Sequence, residues 1–161
     1  MNKIQGEDSM GITFVMLKPD AVKRELGYDI LRYFTKNGIA IACFDIQVAT
    51  EEKIRKHYEE VISKYGEKFA QEMLDMFLGQ TVVPIVLSGG EEIITQVRHI
   101  VGATEPAKAD KGTVRGDLGL GDCYEISVPE GRVVRNLIHA SDSIEAVRRE
   151  IAIWLPKYPL E

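Results

Sequence analysis

Apolar and polar residues follow one another along the chain in patterns that predict alternating strands and helices. Short apolar runs rich in β-branched residues predict strands at residues 11–17, 39–48, 82–87 and 133–139. Apolar residues at helical spacing predict helices at residues 21–36, 51–64, 68–78, 91–101 and 143–154. Good N-cap residues precede three of these helices: Asp20, Thr50, and either Ser141 or Asp142. Residues 102–120 are rich in glycine and charge without periodicity, which predicts an irregular loop that is functional or disordered.

The order of these elements predicts an α/β sandwich in which helices pack on one face of a four-stranded sheet. A doubly wound parallel sheet is the alternative, because helices alternate with strands, and the pattern alone does not choose between the two. The length of 161 residues predicts a single domain over residues 1–161 that buries its core without disulfides. The polar residues 1–10 are expected to be frayed.

The charge balance limits the classes of partner. Twenty Lys and Arg residues against 25 Asp and Glu residues give a formal net charge of −5, which argues against nucleic acid and anionic membranes as partners. A small cationic pocket remains compatible with this charge, because net charge averages over the whole surface. No apolar stretch reaches the roughly 20 residues of a membrane span, and the acidic start of the chain is not expected to be a signal peptide. Cys43 and Cys123 form no disulfide or zinc motif, so we expect a reduced, cytoplasmic protein.

The three histidines differ in their surroundings. His57 and His99 lie among charged residues in predicted helices, and we interpret both as solvated. His139 stands between the end of an apolar run and a predicted helix start, close to free backbone N–H groups. His139 is therefore the candidate for chemistry, with a structural histidine as the alternative.

Several polar residues outside the histidines suit phosphate oxygens. Thr104 and Arg115 lie in the glycine-rich loop, Arg98 precedes it on a helix, and Lys18 stands where the first strand ends. The chain has neither a GxxxxGK[ST] nor a GxGxxG motif, so nucleotide chemistry would need side chains from separate elements. Glu150 lies two turns into the last predicted helix, where it either leans back to orient a histidine or serine, or is an exposed acid.

Four ordered segments resemble one protein family. Residues 136–143, NLIHASDS, closely resemble the NxxHxSDS active-site signature of nucleoside diphosphate kinases. The run FVMLKPDAVKR resembles the family's first strand and KPD turn, and GATEPAKADKGTVRGD resembles the segment before the active site. The run REIAIW resembles the acid-bearing last helix, so the similarity extends from about residue 12 to residue 155.

This resemblance implies a fold, a reaction and an assembly. The fold would be a ferredoxin-like sandwich with a four-stranded antiparallel sheet. The reaction would move the γ-phosphoryl group of ATP, or of another nucleoside triphosphate, to a nucleoside diphosphate by a ping-pong mechanism through a phosphohistidine. Mg²⁺ would be the cofactor, held mainly by the nucleotide phosphates, and the protein would be a homo-oligomer, a hexamer or a tetramer of dimers. A catalytically inactive nucleotide-binding or regulatory member of the family is the alternative.

The resemblance also implies roles for residues at and around the histidine. His139 matches the nucleophile, and Lys18 matches the lysine at the transferring phosphate and the ribose hydroxyl. Tyr58 matches the tyrosine near the histidine. Ser141 and Glu150 match the pair that supports it.

The remaining matches concern nucleotide binding. The residues that would hold the phosphates are Arg98, Thr104 and Arg115. Asn136 matches the asparagine at the ribose 3′ hydroxyl. Phe69 matches the aromatic residue that stacks on the base, and Met73 stands where the family often has another apolar contact.

One stretch departs from the family pattern. Residues 118–135 are longer than the corresponding segment of most members and contain Gly119, Gly121 and the run PEG. These residues predict an inserted turn or small hairpin beside the site. We expect this stretch to reshape the pocket rim or to form a subunit or partner contact in addition to any catalysis.

Overall fold

A computed structural model describes residues 10–160 of the chain. The segment predicted to be frayed lies outside the described residues, apart from the exposed Met10. The strands are β1 (Gly11–Leu17), β2 (Ala40–Phe44), β3 (Gln47–Val48), β4 (Thr81–Gly89) and β5 (Ile138–Ala140). The helices are α1 (Pro19–Lys23), α2 (Gly27–Thr35), α3 (Glu51–His57), α4 (Glu59–Tyr65), α5 (Glu67–Phe77), α6 (Ile93–Val101), α7 (Val114–Leu118), α8 (Tyr124–Ser127) and α9 (Ile144–Trp154).

The strands form one antiparallel sheet in the order β2-β4-β1-β5, with β3 paired to β4 beyond the end of β2. This confirms the antiparallel sandwich and excludes the doubly wound parallel order. The described sheet has five strands rather than the four predicted, because the expected strand at 39–48 is interrupted. At the interruption the Asp45 carboxylate accepts the N–H of Ile46 at 2.9 Å, so this backbone group is not used in the ladder.

Helices cover both faces of the sheet, which corrects the expectation of helices on one face only. Alternate residues of β1 enter two separate apolar clusters. Val15 and Leu17 pack with residues of α2 and α6, whereas Phe14 and Met16 pack with residues of α3, α5 and α9. The continuous apolar run of β1 follows from this arrangement, because a central strand with both faces covered has no solvated positions.

Two helices that the periodicity predicts as continuous are each divided. The expected helix at 21–36 breaks between α1 and α2, where Glu25 adopts a positive φ of 56°. The expected helix at 51–64 breaks at Tyr58, which leaves the helical conformation with φ −101° and ψ 16°. In both places the apolar spacing continues across the break. The sequence pattern therefore did not reveal either break.

The predicted helix caps are confirmed in one case out of three. Thr50 accepts the N–H of Lys53, as expected. The cap of α9 is Ser143, whose hydroxyl accepts the N–H of Ala146, and not Ser141 or Asp142. Asp20 lies in the first turn of α1, and its carboxylate has another partner, described below.

The segments between α6 and β5 are more ordered than predicted. The loop at 102–120 contains a short 3₁₀ turn at Pro106–Lys108 and the helix α7. The expected strand at 133–139 forms only over β5, and the stretch 118–135 forms α8 and turns rather than a hairpin. Within residues 10–160, no helix is long and apolar enough to cross a membrane.

Candidate active site

A cavity of about 620 Å³ opens beside the β1–β5 edge of the sheet. Nine of the ten predicted site residues line it: Lys18, Tyr58, Phe69, Arg98, Thr104, Arg115, Asn136, His139 and Glu150. The tenth, Ser141, lies beneath its wall with 1% of its surface exposed. Met73 also lines the cavity. The fold therefore brings together residues from the two ends of the chain and from the helices between them.

The pairing of β1 with β5 explains how distant residues meet. Met16 is the register partner of His139, and Leu17 is the partner of Ile138. Because the two strands are antiparallel, the residue that follows β1, Lys18, lies beside the residues that precede β5. Lys18 and the segment before His139 therefore share one edge of the cavity.

A tight turn at Leu137 places the residues on either side of it. Leu137 has a positive φ of 71°, which is strained for a side chain of this kind. The N–H of Ile138 donates to the carbonyl of Asn136 across this residue at 2.8 Å. The Asp20 carboxylate accepts the N–H of Leu137 at 3.0 Å, and the carbonyl of Leu137 accepts the N–H of Lys18 at 2.9 Å. Both backbone groups of the strained residue therefore have partners on the segment that follows β1.

Arg115 holds the same turn from the opposite side. Its guanidinium donates to the carbonyls of Asn136 (3.0 Å), Ile138 (2.5 Å) and Gly102 (3.2 Å). Burial, and then the charge of Arg98, lower the pKa of Arg115 to about 10. Two of its three bonds flank Leu137, so Arg115 braces the backbone that carries Asn136 and His139.

Lys18 and Asn136 form a chain of hydrogen bonds across the cavity floor. The Lys18 ammonium donates to Asn136 Oδ1 at 2.7 Å, and Asn136 Nδ2 donates to the carbonyl of Thr104 at 2.9 Å. Burial, and then the charge of Arg115, lower the pKa of Lys18 to about 8. Arg98 is exposed at the cavity and donates to the carbonyl of Ala140 at 3.3 Å. Lys18, Arg98 and Arg115 thus bring three cationic side chains to one cavity, whose lining also includes carboxylates such as Glu60 and Asp142.

His139 lies against a buried carboxylate. Its Nε2 is 2.9 Å from Glu150 Oε1, although this contact lacks the alignment of a full hydrogen bond. The Ser141 hydroxyl donates to the other Glu150 oxygen. Burial first, and then Lys18 and Arg115, lower the pKa of His139 to about 3, so the ring is neutral at physiological pH. With the ring proton on Nε2 beside the carboxylate, Nδ1 retains a lone pair.

His57 is a residue of this site that the sequence reading missed. We expected it to be solvated, but only 5% of its surface is exposed, and its ring meets that of His139 at 4.4 Å between centroids and 78°. Ile54 and Val61 stand three residues before it and four after it, so His57 lies on the apolar side of the helical pattern. The spacing of these apolar residues was the signal in the sequence that His57 is buried.

His57, His139 and Glu150 offer three possible metal-ligand atoms within 4.8 Å of one another. The indole N–H of Trp154, however, donates to His57 Nδ1 at 3.1 Å. An indole nitrogen can only donate, so the ring proton of His57 is on Nε2 and neither nitrogen has a free lone pair. This group is therefore poorly suited to holding a metal.

A second group of possible ligands, Glu105, Cys123 and Glu125, is occupied by a lysine. The Lys108 ammonium lies 2.8 Å from a Glu105 oxygen and 3.7 Å from a Glu125 oxygen. A cation already neutralises these carboxylates, so they do not form a prepared metal site.

The stretch 118–135, which the sequence predicts to lie beside the site, forms a wall of the cavity. Tyr124, Ser127, Val128, Arg132 and Val133 line the cavity on this side. The stretch is closed by Asp122, whose carboxylate accepts two bonds from the Arg132 guanidinium (2.6 and 2.9 Å) and one from the N–H of Arg135 (2.7 Å). The predicted effect on the pocket rim thus has a structural counterpart.

Comparison with known proteins agrees with this architecture. The family described as nucleoside diphosphate kinase matches residues 11–160. The nucleoside diphosphate kinase of Methanothermobacter thermautotrophicus is 39% identical over 143 residues, covering 88% of this chain and 85% of that protein. Nucleoside diphosphate kinase 1 of Zea mays is 35% identical over 152 residues, covering 94% of this chain and 92% of that protein.

The fold has solved counterparts as well. A transition-state mimic of the nucleoside-diphosphate kinase from Borrelia burgdorferi, with bound vanadate and ADP, superposes with a TM-score of 0.84 at 30% identity. The alignment covers 91% of this chain and 87% of that one. With a match across nearly all of the described residues in sequence and in fold, the chain belongs to the nucleoside diphosphate kinase family.

Proposed function

We propose that this nucleoside diphosphate kinase moves the γ-phosphoryl group of a nucleoside triphosphate to a nucleoside diphosphate through a phosphohistidine at His139. The observation that carries the proposal is the position of His139 in the wall of the cavity, with Nε2 2.9 Å from the buried Glu150 carboxylate, which leaves Nδ1 as the nitrogen for attack. A neutral imidazole is a competent nucleophile at neutral pH, whereas an imidazolium is not.

The reaction would run in two balanced half-reactions. The Nδ1 lone pair of His139 attacks the γ-phosphorus, an N–P bond forms, and the bond to the β–γ bridging oxygen breaks to release the nucleoside diphosphate. A terminal phosphate oxygen of a second diphosphate then attacks the same phosphorus and releases the histidine. One cavity serves both nucleotides in turn, so ping-pong kinetics follow.

The cavity cations would neutralise the phosphate charge during transfer. Lys18, Arg98 and Arg115 act with the Thr104 hydroxyl, and phosphoryl transfer depends mainly on such positioning and electrostatic stabilisation. Glu150, held by Ser141, would balance the positive charge that develops on His139 as the N–P bond forms. Tyr58 packs beside these groups at the cavity wall.

The other end of the cavity would hold the nucleoside. Asn136 and Lys18 would bind the ribose hydroxyls, and the half-buried Phe69 with Met73 would provide an apolar surface for the base, because all four line the cavity. Stacking on an aromatic ring tolerates any base, because every base has a π face. We therefore expect broad nucleotide use.

The donor set fits Mg²⁺ that is held through the substrate. Mg²⁺ prefers oxygen ligands and is often bound by one or two carboxylates together with substrate phosphates. Glu150, the buried carboxylate at His139, is engaged by Ser141, while the cavity cations select phosphates that supply the oxygens. When bound, the ion would neutralise and orient the phosphate chain.

We also propose a homo-oligomer that works in the cytoplasm, a hexamer or a tetramer built from dimers. The edge strand β2 and the residues after it leave Phe44, Ile46 and Val48 each about 60% or more exposed. Such an edge is usually covered in the assembled protein. Neither nucleic acid nor a membrane is an expected partner at a net charge of −5.

The test is transfer of label from γ-labelled ATP to the protein. We expect acid-labile label on the wild-type chain and on His99→Ala, a control at an exposed histidine, and none on His139→Ala, with nucleotide binding retained in all three. The competing proposal, an inactive nucleotide-binding member, requires binding without label in the wild-type chain. Substantial transfer by His139→Ala would show that the nucleophile is assigned wrongly.

A further inference from the structure

We infer that His57 is a positioning residue for phosphoryl transfer, whose neutral ring packs edge-on against His139 beside Glu150, with an unpaired Nε2–H, and thereby holds His139 with Nδ1 available. The inference rests on the proposed function and adds to it a residue that the active-site signature does not contain. His57 would act through its neighbours and would not itself contact the nucleotide.

The geometry places His57 inside the group that orients the nucleophile. Its ring is edge-on to that of His139 at 4.4 Å, and one of its ring nitrogens lies within 4.8 Å of ligand atoms of both His139 and Glu150. It also packs edge-on against Tyr58 at 4.5 Å. A ring held on two sides in this way limits the rotation of its neighbour His139.

The bond from Trp154 fixes the tautomer of His57. Trp154 is itself fully buried in the apolar cluster of α3, α5 and α9, so its N–H has a defined direction toward His57 Nδ1. The proton of the neutral ring is therefore on Nε2, which is buried and has no hydrogen-bond partner among the described residues. Unpaired buried donors are uncommon in native proteins and call for a functional explanation.

The nearby charges favour a neutral donor at this place. The groups that face His57 are His139, Glu150, Lys18 and Arg149, and burial together with His139 lowers the pKa of His57 well below its usual value. Burial raises the pKa of Glu150. A neutral His57 ring adds no further cation beside His139, and its Nε2–H offers the site a hydrogen-bond donor.

The experiment compares two substitutions that separate packing from hydrogen bonding. His57→Phe keeps a buried ring but removes both nitrogens, whereas His57→Gln places an amide N–H where Nε2 stands. We expect single-turnover phosphorylation of His57→Phe by ATP to slow about 10-fold, because the buried N–H donor beside His139 and Glu150 is lost while the ring remains, with ADP affinity unchanged. His57→Gln should recover most of the rate, and the exposed His99→Phe should behave as wild type.

The single tryptophan provides a spectroscopic readout. Because Trp154 is bonded to His57, its emission should change when His139 is phosphorylated in the wild-type chain, and this change should be absent in His57→Phe. Wild-type phosphorylation rates in His57→Phe would overturn the inference, and so would equal losses in His57→Phe and His57→Gln. Failure of the proposed function looks different, because the wild-type chain would then take no label.

If His57→Phe does not fold, Trp154→Phe carries the test. This variant keeps His57 but frees Nδ1 to accept a proton. We expect its phosphorylation rate to fall with decreasing pH in a range where the wild-type rate is flat, because a protonated His57 adds a cation beside His139. A flat profile for Trp154→Phe would overturn the inference.

Discussion

Replacement of Arg115 by alanine should lower the free energy of unfolding, an effect that loss of a phosphate contact alone would not produce. The sequence gives Arg115 the role of a phosphate ligand, but in the structure its guanidinium is bonded to three backbone carbonyls. Two of these carbonyls, those of Asn136 and Ile138, flank the strained Leu137. The substitution therefore removes a brace from the backbone that carries the nucleophile.

The expected loss of stability follows from the number of carbonyls left unpaired. Each buried polar group without a partner costs about 1–3 kcal/mol. The carbonyl of Gly102 borders the cavity, where water can replace the lost donor, so the estimate counts the two buried bonds. At the upper end of that range the two carbonyls cost about 6 kcal/mol, and removal of a buried charge whose pKa falls to about 10 returns about 3 kcal/mol. We therefore expect Arg115→Ala to lower the free energy of unfolding by about 3 kcal/mol, and Arg115→Lys to lower it by about 2 kcal/mol, because an ammonium cannot reproduce the fork.

Urea denaturation with the matched variant Arg98→Ala tests this reasoning. Arg98 lines the same cavity but is exposed and makes one bond of 3.3 Å, so its loss should cost under about 1 kcal/mol while weakening nucleotide binding. A stability loss for Arg115→Ala no larger than that for Arg98→Ala would refute the bracing role. Both variants remain informative for binding, because the two side chains differ in burial and not in charge.

Two further substitutions test the cavity floor and wall. Lys18→Met should raise the free energy of unfolding at pH 7 by about 2 kcal/mol while abolishing transfer. The fall in the pKa of Lys18 from 10.5 unfolded to about 8 folded corresponds to about 3 kcal/mol, and loss of the hydrogen bond to Asn136 costs about 1 kcal/mol. The unfolded chain then binds more protons between these values, so wild-type stability should rise with pH from 8 to 10.5 relative to Lys18→Met; denaturation curves with a constant difference between pH 7 and 10 would contradict this. Asp122→Ala should remove the ion pair with Arg132 that closes the stretch 118–135. We expect faster amide exchange in residues 122–135 and a KM raised several-fold at unchanged kcat. Unaltered exchange would show that this ion pair does not hold the cavity wall.

Element types were predictable, whereas interruptions were not. The apolar run of β1 and the periodicity of α5, α6 and α9 each specify one structure, because local pattern and tertiary packing agree there. The breaks at Glu25 and Tyr58 leave the apolar spacing intact, so hydrophobic periodicity cannot reveal them. The division of the second strand depends on the hydrogen bond from the N–H of Ile46 to the Asp45 carboxylate, which competes with pairing in the sheet and is not visible in the sequence pattern.

The site residues were predictable because they lie in four segments that resemble the family in sequence and in order, and the fold brings these segments to one cavity. What the motif could not give is the set of residues that hold those segments in place. The Asp20 bond to Leu137 and the Arg115 bonds to backbone carbonyls span between 13 and 117 positions in the sequence. His57 is hidden for another reason: charged neighbours mask its position on the apolar side of the helix.

The electrostatics of the cavity connect folding with the proposed reaction. Burial disfavours the charged forms of Lys18 and Arg115, and their pKa values fall to about 8 and about 10. The fold therefore holds two cations in an unfavourable environment, fixed by Asn136 and by backbone carbonyls. A polyphosphate that enters the cavity provides the negative charge that stabilises these cations. The electrostatic energy that is unfavourable in the free protein therefore contributes to substrate binding. Burial first, and then the same two cations, lower the pKa of His139 and keep it uncharged. The buried cations thus attract the phosphates and contribute to preserving the lone pair that attacks them.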